Sequence, residues 1–439
     1  MNILLLDQDQ AFVGFALRCM REGHHVRVCM AKDEKTKQRT KIGDGLVEKI
    51  ENEEWQRSAK WADLIVTGDN SKWLRELDVY RRKGYAVFSP SWESAQLELD
   101  RGKGQEFLRK AGLDVIPYEI FSDPKKAEKH VLMARERFVC KPYGSKADKA
   151  MTYVSKSPRD MIHMLRKWDK GGKFQGTAMM QEYVEGIEFG VAGWLGKQGF
   201  SPWFEEHFEH KKVMVDDYGP NCGEAGTAIK YVKDSTLAKE LLLPLEQGLV
   251  KLGHTGSVAI GAMVDKSGSP RPLEFTMRLG WPSFDICQSL HPEPVQWMAD
   301  LVDGGDSFEP YTETAIGMVI AMPDFPYNRM KESELTGVPL YNLHEDNEYF
   351  EQIMPVQVMS GMAPDDDGNE ERCLVSAGNY LCVATGLGGT VREAARECLK
   401  VVKSLEIPND PIVRTDIGEG LEQDIPKLQD YGFATEWTY

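Results

Sequence analysis

Glu274 and Arg278 lie in Leu273-Glu274-Phe275-Thr276-Met277-Arg278, an apolar run that holds one acid with a cation four residues on. A buried carboxylate needs a cation, a proton or a metal beside it. Two readings fit: a Glu274–Arg278 ion pair at a sheet edge, or an acid that holds a metal. Upstream, Lys141 ends the apolar run Arg137-Phe138-Val139-Cys140-Lys141, and a loop of small residues leads to Lys149. Such lysines suit a triphosphate, the ammonium groups neutralising charge while loop amides donate to oxygens; the alternative is a pair of surface lysines. Gln181-Glu182-Tyr183-Val184 could meet an adenine edge through its backbone, and Glu188 could accept from ribose hydroxyls. The alternative there is a plain edge strand with exposed acids.

These residues need strands and turns to hold them. Val258 to Asp265, a Gly/Pro turn over Lys266–Arg271, and the Glu274 run together predict a β-hairpin. Residues 1 to about 90 alternate short apolar runs (Ile3–Leu6, His25–Cys29, Asp63–Thr67, Tyr85–Phe88) with helical patterns, including Phe12–Arg21. That alternation predicts a parallel α/β sheet, whose ligands sit at the carboxyl ends of its strands. Those ends carry Asp7, Asp9 and Asp69, acids that repel a phosphate and suit a cationic or hydroxyl-bearing group. Ser91 to Gly112 reads as one connecting helix. A second small α/β unit follows, with strands Arg137–Lys141, Met151–Val154 and Thr177–Val184, and a helix opened by Ser157 with Asp160 through Met164. The C-terminal region carries strands Ala315–Met322 and Tyr380–Ala384 and a helix near Val391–Leu405.

A length of 439 residues allows two to four domains, and 41% hydrophobic with 28% charged residues is ordinary for a soluble globular chain. The net charge of -16 repels nucleic-acid backbone and anionic membrane, which argues against broad nucleic-acid binding. Eight scattered cysteines with no CxxC pair fit reduced thiols in the cytoplasm. The start of the chain lacks a basic, apolar leader, and no 18-residue apolar window predicts a membrane span. The acidic stretch Asp365-Asp366-Asp367 reads as a solvated loop.

The order of these pieces resembles the ATP-grasp superfamily, and within it glycinamide ribonucleotide synthetase (phosphoribosylamine–glycine ligase). Lys141-Pro142-Tyr143-Gly144 and Lys149 fall in register with that family's phosphate loop, and Gln181 to Glu188 resembles its adenine strand and ribose acid. Ser89-Pro90-Ser91, with Ala95 to Glu98 after it, looks like the start of the ATP-grasp region. His210-Lys211-Lys212 and Asp217 to Gly223 are similar to its "HKR…DTGPNTGG", and Leu273 to Gly280 to its "IEFNCRFG". Leu381–Ala384 through Thr390-Val391, and Arg414 to Gly418, match its C-terminal signature. The resemblance covers nearly the whole chain and implies an α/β ATP-grasp architecture. Its expected parts are an N-terminal parallel-sheet domain (1–100), a small domain with the phosphate loop and adenine strand (101–190), a central domain with the metal site (191–310), and a mixed α+β C-terminal domain (311–439).

The departures cluster. The family's Gly-rich first loop is here Asp7-Gln8-Asp9-Gln10, its Gly-Pro-Glu is Gly68-Asp69-Asn70, its metal-side asparagine is Thr276, and its Gly-Asp-Pro-Glu is Gly280-Trp281-Pro282-Ser283. A lysine early in the ATP-grasp region is matched by Arg101. The resemblance implies an ADP-forming ligase that activates a carboxylate with ATP and joins it to an amine, with Mg²⁺ as cofactor. Lys141, Lys149 and Arg101 would hold phosphates, Glu274 with Thr276 the Mg²⁺, and Arg278 the activated carboxylate. Asp217 and Asn221 would stand over the acceptor site. Losses confined to one substrate's pocket favour glycine or another small amino acid joined to an amine other than phosphoribosylamine. The true phosphoribosylamine–glycine ligase and a non-catalytic ATP-binding homologue are the alternatives. The expected partners are small-molecule amines and amino acids, with no membrane, and the assembly a monomer or small homo-oligomer.

Overall fold

A computed structural model describes residues 1–32, 39–52, 54–70, 72–143, 152–172, 174, 177–327 and 329–439. The first unit is a five-stranded parallel sheet in the spatial order Glu48–Ile50, His25–Met30, Asn2–Asp7, Leu64–Thr67, Val87–Phe88. Its central strands are buried from Ile3 to Asp7 and from Leu64 to Thr67, as near-continuous Leu, Ile and Val runs require of a sheet covered on both faces. The strand order reverses beside Asn2–Asp7, so the carboxyl end of that strand and of Leu64–Thr67 open on one crevice. Glu48–Ile50 has no apolar run to announce it and joins only as a short edge.

The expected single helix over 91–112 is two helices, Trp92–Leu99 and Arg101–Lys110. Asp100 breaks them: its backbone is extended and its carboxylate accepts from the N–H groups of Gly102 and Lys103, capping the second helix. The break sets Arg101 in the first turn of a new helix. A Cβ on Gly104 would stand 2.3 Å from the Leu97 carbonyl, so the two helices pack this closely only with glycine there.

A four-stranded sheet follows in the order Tyr118–Phe121, Thr177–Glu182, Phe138–Tyr143, Tyr153–Val154. The helices Pro124–Ala134 and Pro158–Lys170 cover it through Val131, Met161, Leu165 and Trp168. Ser157 caps the second of these as its spacing predicts, and the helix runs on past Met164 to Lys170. Lys141 lies within its strand rather than at the end of it. The phosphate-loop residues 144–151, Lys149 among them, lie outside the described residues.

The largest sheet is antiparallel. Pro270–Thr276 forms its edge, followed by Gly256–Asp265, Gly186–Gly196, Gly199–Lys212, Asn221–Val232, Thr314–Ala321, Tyr380–Gly388 and Ile353–Pro355. The predicted hairpin is present, with Glu274 opposite Gly261. Thr314–Ala321 pairs with Asn221–Val232, so one sheet and one core run across residue 310. A separate three-stranded sheet, Thr336–Leu340, Glu370–Ala377 and Val358–Pro364, stands apart from it. No helix among the described residues is long and apolar enough to cross a membrane.

Candidate functional site

Glu274 sits on the edge strand with its side chain 44% exposed, and Arg101 reaches it, Nη2 to Oε2, at 3.2 Å. Arg278 turns instead to Glu98, at 3.4 Å. The Glu98 carboxylate also accepts the Met277 N–H at 2.7 Å. The simple Glu274–Arg278 pair is therefore replaced by two pairs, each with a residue from the broken helix. Gln105 of the same helix donates to the Leu273 carbonyl at 3.0 Å and fixes helix to strand.

Lys141 arrives from the small sheet and lines one pocket with Arg101, Gln105 and Glu274. It is only 6% exposed. Burial lowers the pKa of its ammonium; Glu274 works against that shift, and Arg101 adds to it. Among the described residues no carboxylate lies within 4 Å of it. This ammonium is buried among Arg101, Lys211, Glu274 and Glu188, with no ion-pair partner of its own among the described residues, an arrangement that suits an anion.

The strand Gly199–Lys212 contributes Glu205, His207, Glu209 and Lys211, alternate residues that share a face. Lys211 is clamped by Glu188 in a short contact and by Glu209 at 3.1 Å. Burial opposes its charge, but Glu209 and Glu188 raise its pKa well above the ordinary lysine value. Glu188, the expected ribose acid, is thus the partner of Lys211 here. His207 lies 3.1 Å from Glu205 and 3.7 Å from Glu209. Burial works to lower its pKa, and the two acids outweigh it. A Cβ on Gly190, across the sheet, would meet the His207 ring at 2.1 Å, so this strand pair closes around the imidazole only over glycine.

This face opens on a cavity of about 390 Å³ that Thr276, Arg278, Trp281 and Tyr380 also line. Glu224, on Asn221–Val232, projects into it. It is 8% exposed and its Oε1 has no hydrogen-bond partner. Burial, then Glu209, push its pKa well up. A smaller pocket adjoins, walled by Asp7, Asp9, Asp69, Asp285 and again Arg278. Asp7 accepts from the N–H groups of Ala11 and Phe12 at 3.1 and 3.0 Å. Burial raises its pKa to about 6 against those bonds. Asp69 is held by Thr67 Oγ1 at 3.1 Å and accepts the Lys72 N–H.

The site residues named from sequence therefore divide. Arg101, Lys141 and Glu274 share one pocket, and Thr276, Arg278 and Asp9 line the cavity beside it. Asp217 and Asn221 stand apart from both cavity walls. Asp217 is 72% exposed and paired with Arg414 at 2.8 Å, while Asn221 closes the hairpin opposite Lys212. On the adenine strand Gln181 is buried, and its amide nitrogen has no partner. The N–H groups of Glu182 and Tyr183 are taken by Pro117 and Arg137, and the Arg137 guanidinium lies over the Tyr183 ring at 3.4 Å. The backbone of Val184 makes no hydrogen bond among the described residues. Glu205, His207, Glu209, Glu224 and Asp285 were not singled out from sequence. The alternation Glu205, His207, Glu209, Lys211 was there to be read, whereas nothing local marks Glu224 or Asp285.

A buried lysine from one sheet, an arginine from a helix and an acid from another sheet share a pocket beside the cavity. Residues 103–283 match the model for the ATP-grasp (A) domain of phosphoribosylglycinamide synthetase. The chain carries an ATP-grasp domain and resembles phosphoribosylamine–glycine ligase. The ligase of that name from Ralstonia nicotianae is 26% identical over 356 residues, covering 78% of this chain and 80% of the relative. The Salmonella typhimurium ligase is 26% identical over 376 residues, covering 81% and 83%. The solved Thermotoga maritima phosphoribosylamine–glycine ligase shares the fold with a TM-score of 0.71 at 21% identity, over 95% of this chain and all 100% of that one. The biotin carboxylase domain of Hydrogenobacter thermophilus 2-oxoglutarate carboxylase, solved with MgADP, shares it at a TM-score of 0.60 and 11% identity, over 99% and 96%.

Proposed function

We propose that this chain is a cytoplasmic, ADP-forming carboxylate–amine ligase that joins glycine or another small amino acid to an amine other than phosphoribosylamine. The observation that carries the nucleotide half is Lys141, a buried ammonium in the small pocket that it shares with the Arg101–Glu274 pair. The acids Asp7, Asp9 and Asp69 at the sheet's carboxyl ends support the altered amine, because they disfavour a phosphate on the acceptor.

Lys141 and Arg101, with Lys149 from the loop, hold the triphosphate. Val184 meets the base. Glu274 and the Thr276 hydroxyl are hard oxygen donors, and Mg²⁺ needs only one or two protein oxygens when phosphates complete its shell, so they fit that ion. Held by these two residues, the ion would supply neutralisation of the triphosphate's charge. The amino acid's carboxylate, placed near Arg278, takes the γ-phosphoryl group to give an acyl phosphate and ADP. The amine nitrogen then attacks the acyl carbon, the C–N bond forms, and phosphate leaves. Arg278 stays charged throughout, since Glu98 beside it raises its pKa. The chain's own part is chiefly positioning and charge. In domain terms, residues 1–100 would bind the acceptor, 101–190 the nucleotide, and 191–310 the metal and the acyl group, with 311–439 closing the sheet.

The test is ADP release across a panel of amines with glycine present. Turnover with amines that lack a phosphate is expected. Phosphoribosylamine as best acceptor by a wide margin would overturn the altered specificity. Tight ATP binding with no ADP under any mixture would favour a non-catalytic binder.

A further inference from the structure

The two adjoining cavities are far more acidic than a monoamine requires. Asp9, Glu205, Glu209 and Glu224 line the larger one. Asp7, Asp69 and Asp285 join Asp9 in the smaller. Against them stand Arg278 and His207 in the walls and Lys211 behind Glu209, and all three are already engaged: Arg278 by Glu98 at 3.4 Å, His207 by Glu205 at 3.1 Å, and Lys211 by Glu188 and by Glu209 at 3.1 Å. Two of the buried acids have no engagement of their own among the described residues. Asp285 is 3% exposed, faces the smaller pocket, and its carboxyl makes no hydrogen bond or ion pair among the described residues. Glu224 has an unpartnered oxygen in the larger cavity.

Burying a carboxyl without a partner is costly, and a cation relieves that cost in each place. A metal ion fits poorly, because no three or more His, Cys, Asp or Glu among the described residues are grouped to hold one. The walls between the two acids are aromatic instead. Trp281 and Phe284 line both cavities, and Tyr380 packs on Trp281 with ring centroids 4.2 Å apart. Acids joined by aromatic faces recognise alkylammonium groups.

We propose that the acceptor is a diamine-like dication, with its reacting amine in the larger cavity beside Glu224 and its second ammonium in the pocket of Asp7, Asp69 and Asp285. This rests on the ligase reading for the word acceptor, but the two-cation subsite is a binding property that can be measured without turnover. The reacting ammonium passes its proton to the Glu224 carboxylate before attack, and the distal ammonium keeps its own, so the distal acids hold the substrate through the reaction.

Calorimetric titration of the full chain with MgADP present tests it, using 1,3-diaminopropane, 1,4-diaminobutane and 1,5-diaminopentane against butylamine and 4-aminobutanol. The best diamine is expected to bind at least about tenfold tighter than either monoamine. Asp285→Asn should weaken that diamine by about tenfold or more, while affinity for MgADP shows that the variant is folded. Glu224→Gln provides the second variant. Equal binding of diamines and monoamines, or diamine binding unchanged in both variants, overturns the subsite. Diamine binding without ADP release under any amino acid would sink the ligase reading and leave the subsite standing. Turnover best with a neutral or phosphorylated amine would do the reverse.

Discussion

Replacing Lys141 by methionine separates a nucleotide-binding lysine from a structural one. The side chain is 6% exposed and its ammonium pKa is depressed by burial, with Glu274 opposing and Arg101 reinforcing the shift. In the unfolded chain that ammonium is fully hydrated, so folding works against it; methionine keeps most of the volume and removes the charge. The apo protein should therefore melt at the same temperature or a few degrees higher. With nucleotide the balance reverses. A hydrogen bond from a buried cation to a phosphate oxygen contributes roughly 1.5–3 kcal/mol, which converts to about a 10- to 150-fold rise in KM for ATP. Steady-state kinetics against ATP and a melting curve of the apo protein are the two measurements. A lower melting temperature with KM for ATP unchanged would show that Lys141 serves Glu274 as an ion-pair partner, and the nucleotide reading of this pocket would fail.

Other perturbations give equally separable outcomes. Glu274→Gln should raise the Mg²⁺ concentration for half-maximal activity by about tenfold or more, read from a Mg²⁺ titration at saturating ATP; an unchanged requirement would remove Glu274 from the metal. Asp7, buried with its pKa raised from 3.8 to about 6, binds more protons folded than unfolded between those values. Stability from this group is thus highest at low pH and falls as pH rises through that window, by ~3 kcal/mol at most. Chemical denaturation from pH 4 to 7 should show this slope in the native chain relative to Asp7→Asn. Arg414 is 3% exposed, pairs with Asp217 and Asp416, and donates to the Lys212 carbonyl at 3.0 Å. Arg414→Ala should cost about 3 kcal/mol of stability, whereas Asp217→Asn should cost under about 1 kcal/mol because Asp217 is exposed. A large rise in acceptor KM in Asp217→Asn without loss of stability would return Asp217 to the acceptor site.

Much of the fold could be read from local pattern. The four apolar runs before residue 90, the Ser157 cap and the hairpin around Gly268 each rest on neighbours a few residues apart, and each stands where its pattern put it. The helix break at Asp100 was missed, because a capping aspartate inside a continuous helical pattern looks like any solvent-facing acid until its backbone is seen to be extended.

What the sequence determined by itself was the inventory and its order: Lys141, the strand ending in Gln181-Glu182, Glu188, then Glu274 on the edge of a hairpin, with acids at the ends of the first sheet. Those features follow from residue type and from period-two alternation, which are local. Tertiary structure alone decided which charge meets which. Arg101 lies 173 positions before Glu274 and meets it because of a helix break, Arg278 is turned to Glu98, and Asp217 is spent on Arg414. An ion pair depends on a few ångströms of packing between distant elements, and no spacing along the chain encodes that distance. The same holds for Glu224 and Asp285, whose lack of a partner became visible only once every neighbour was in place.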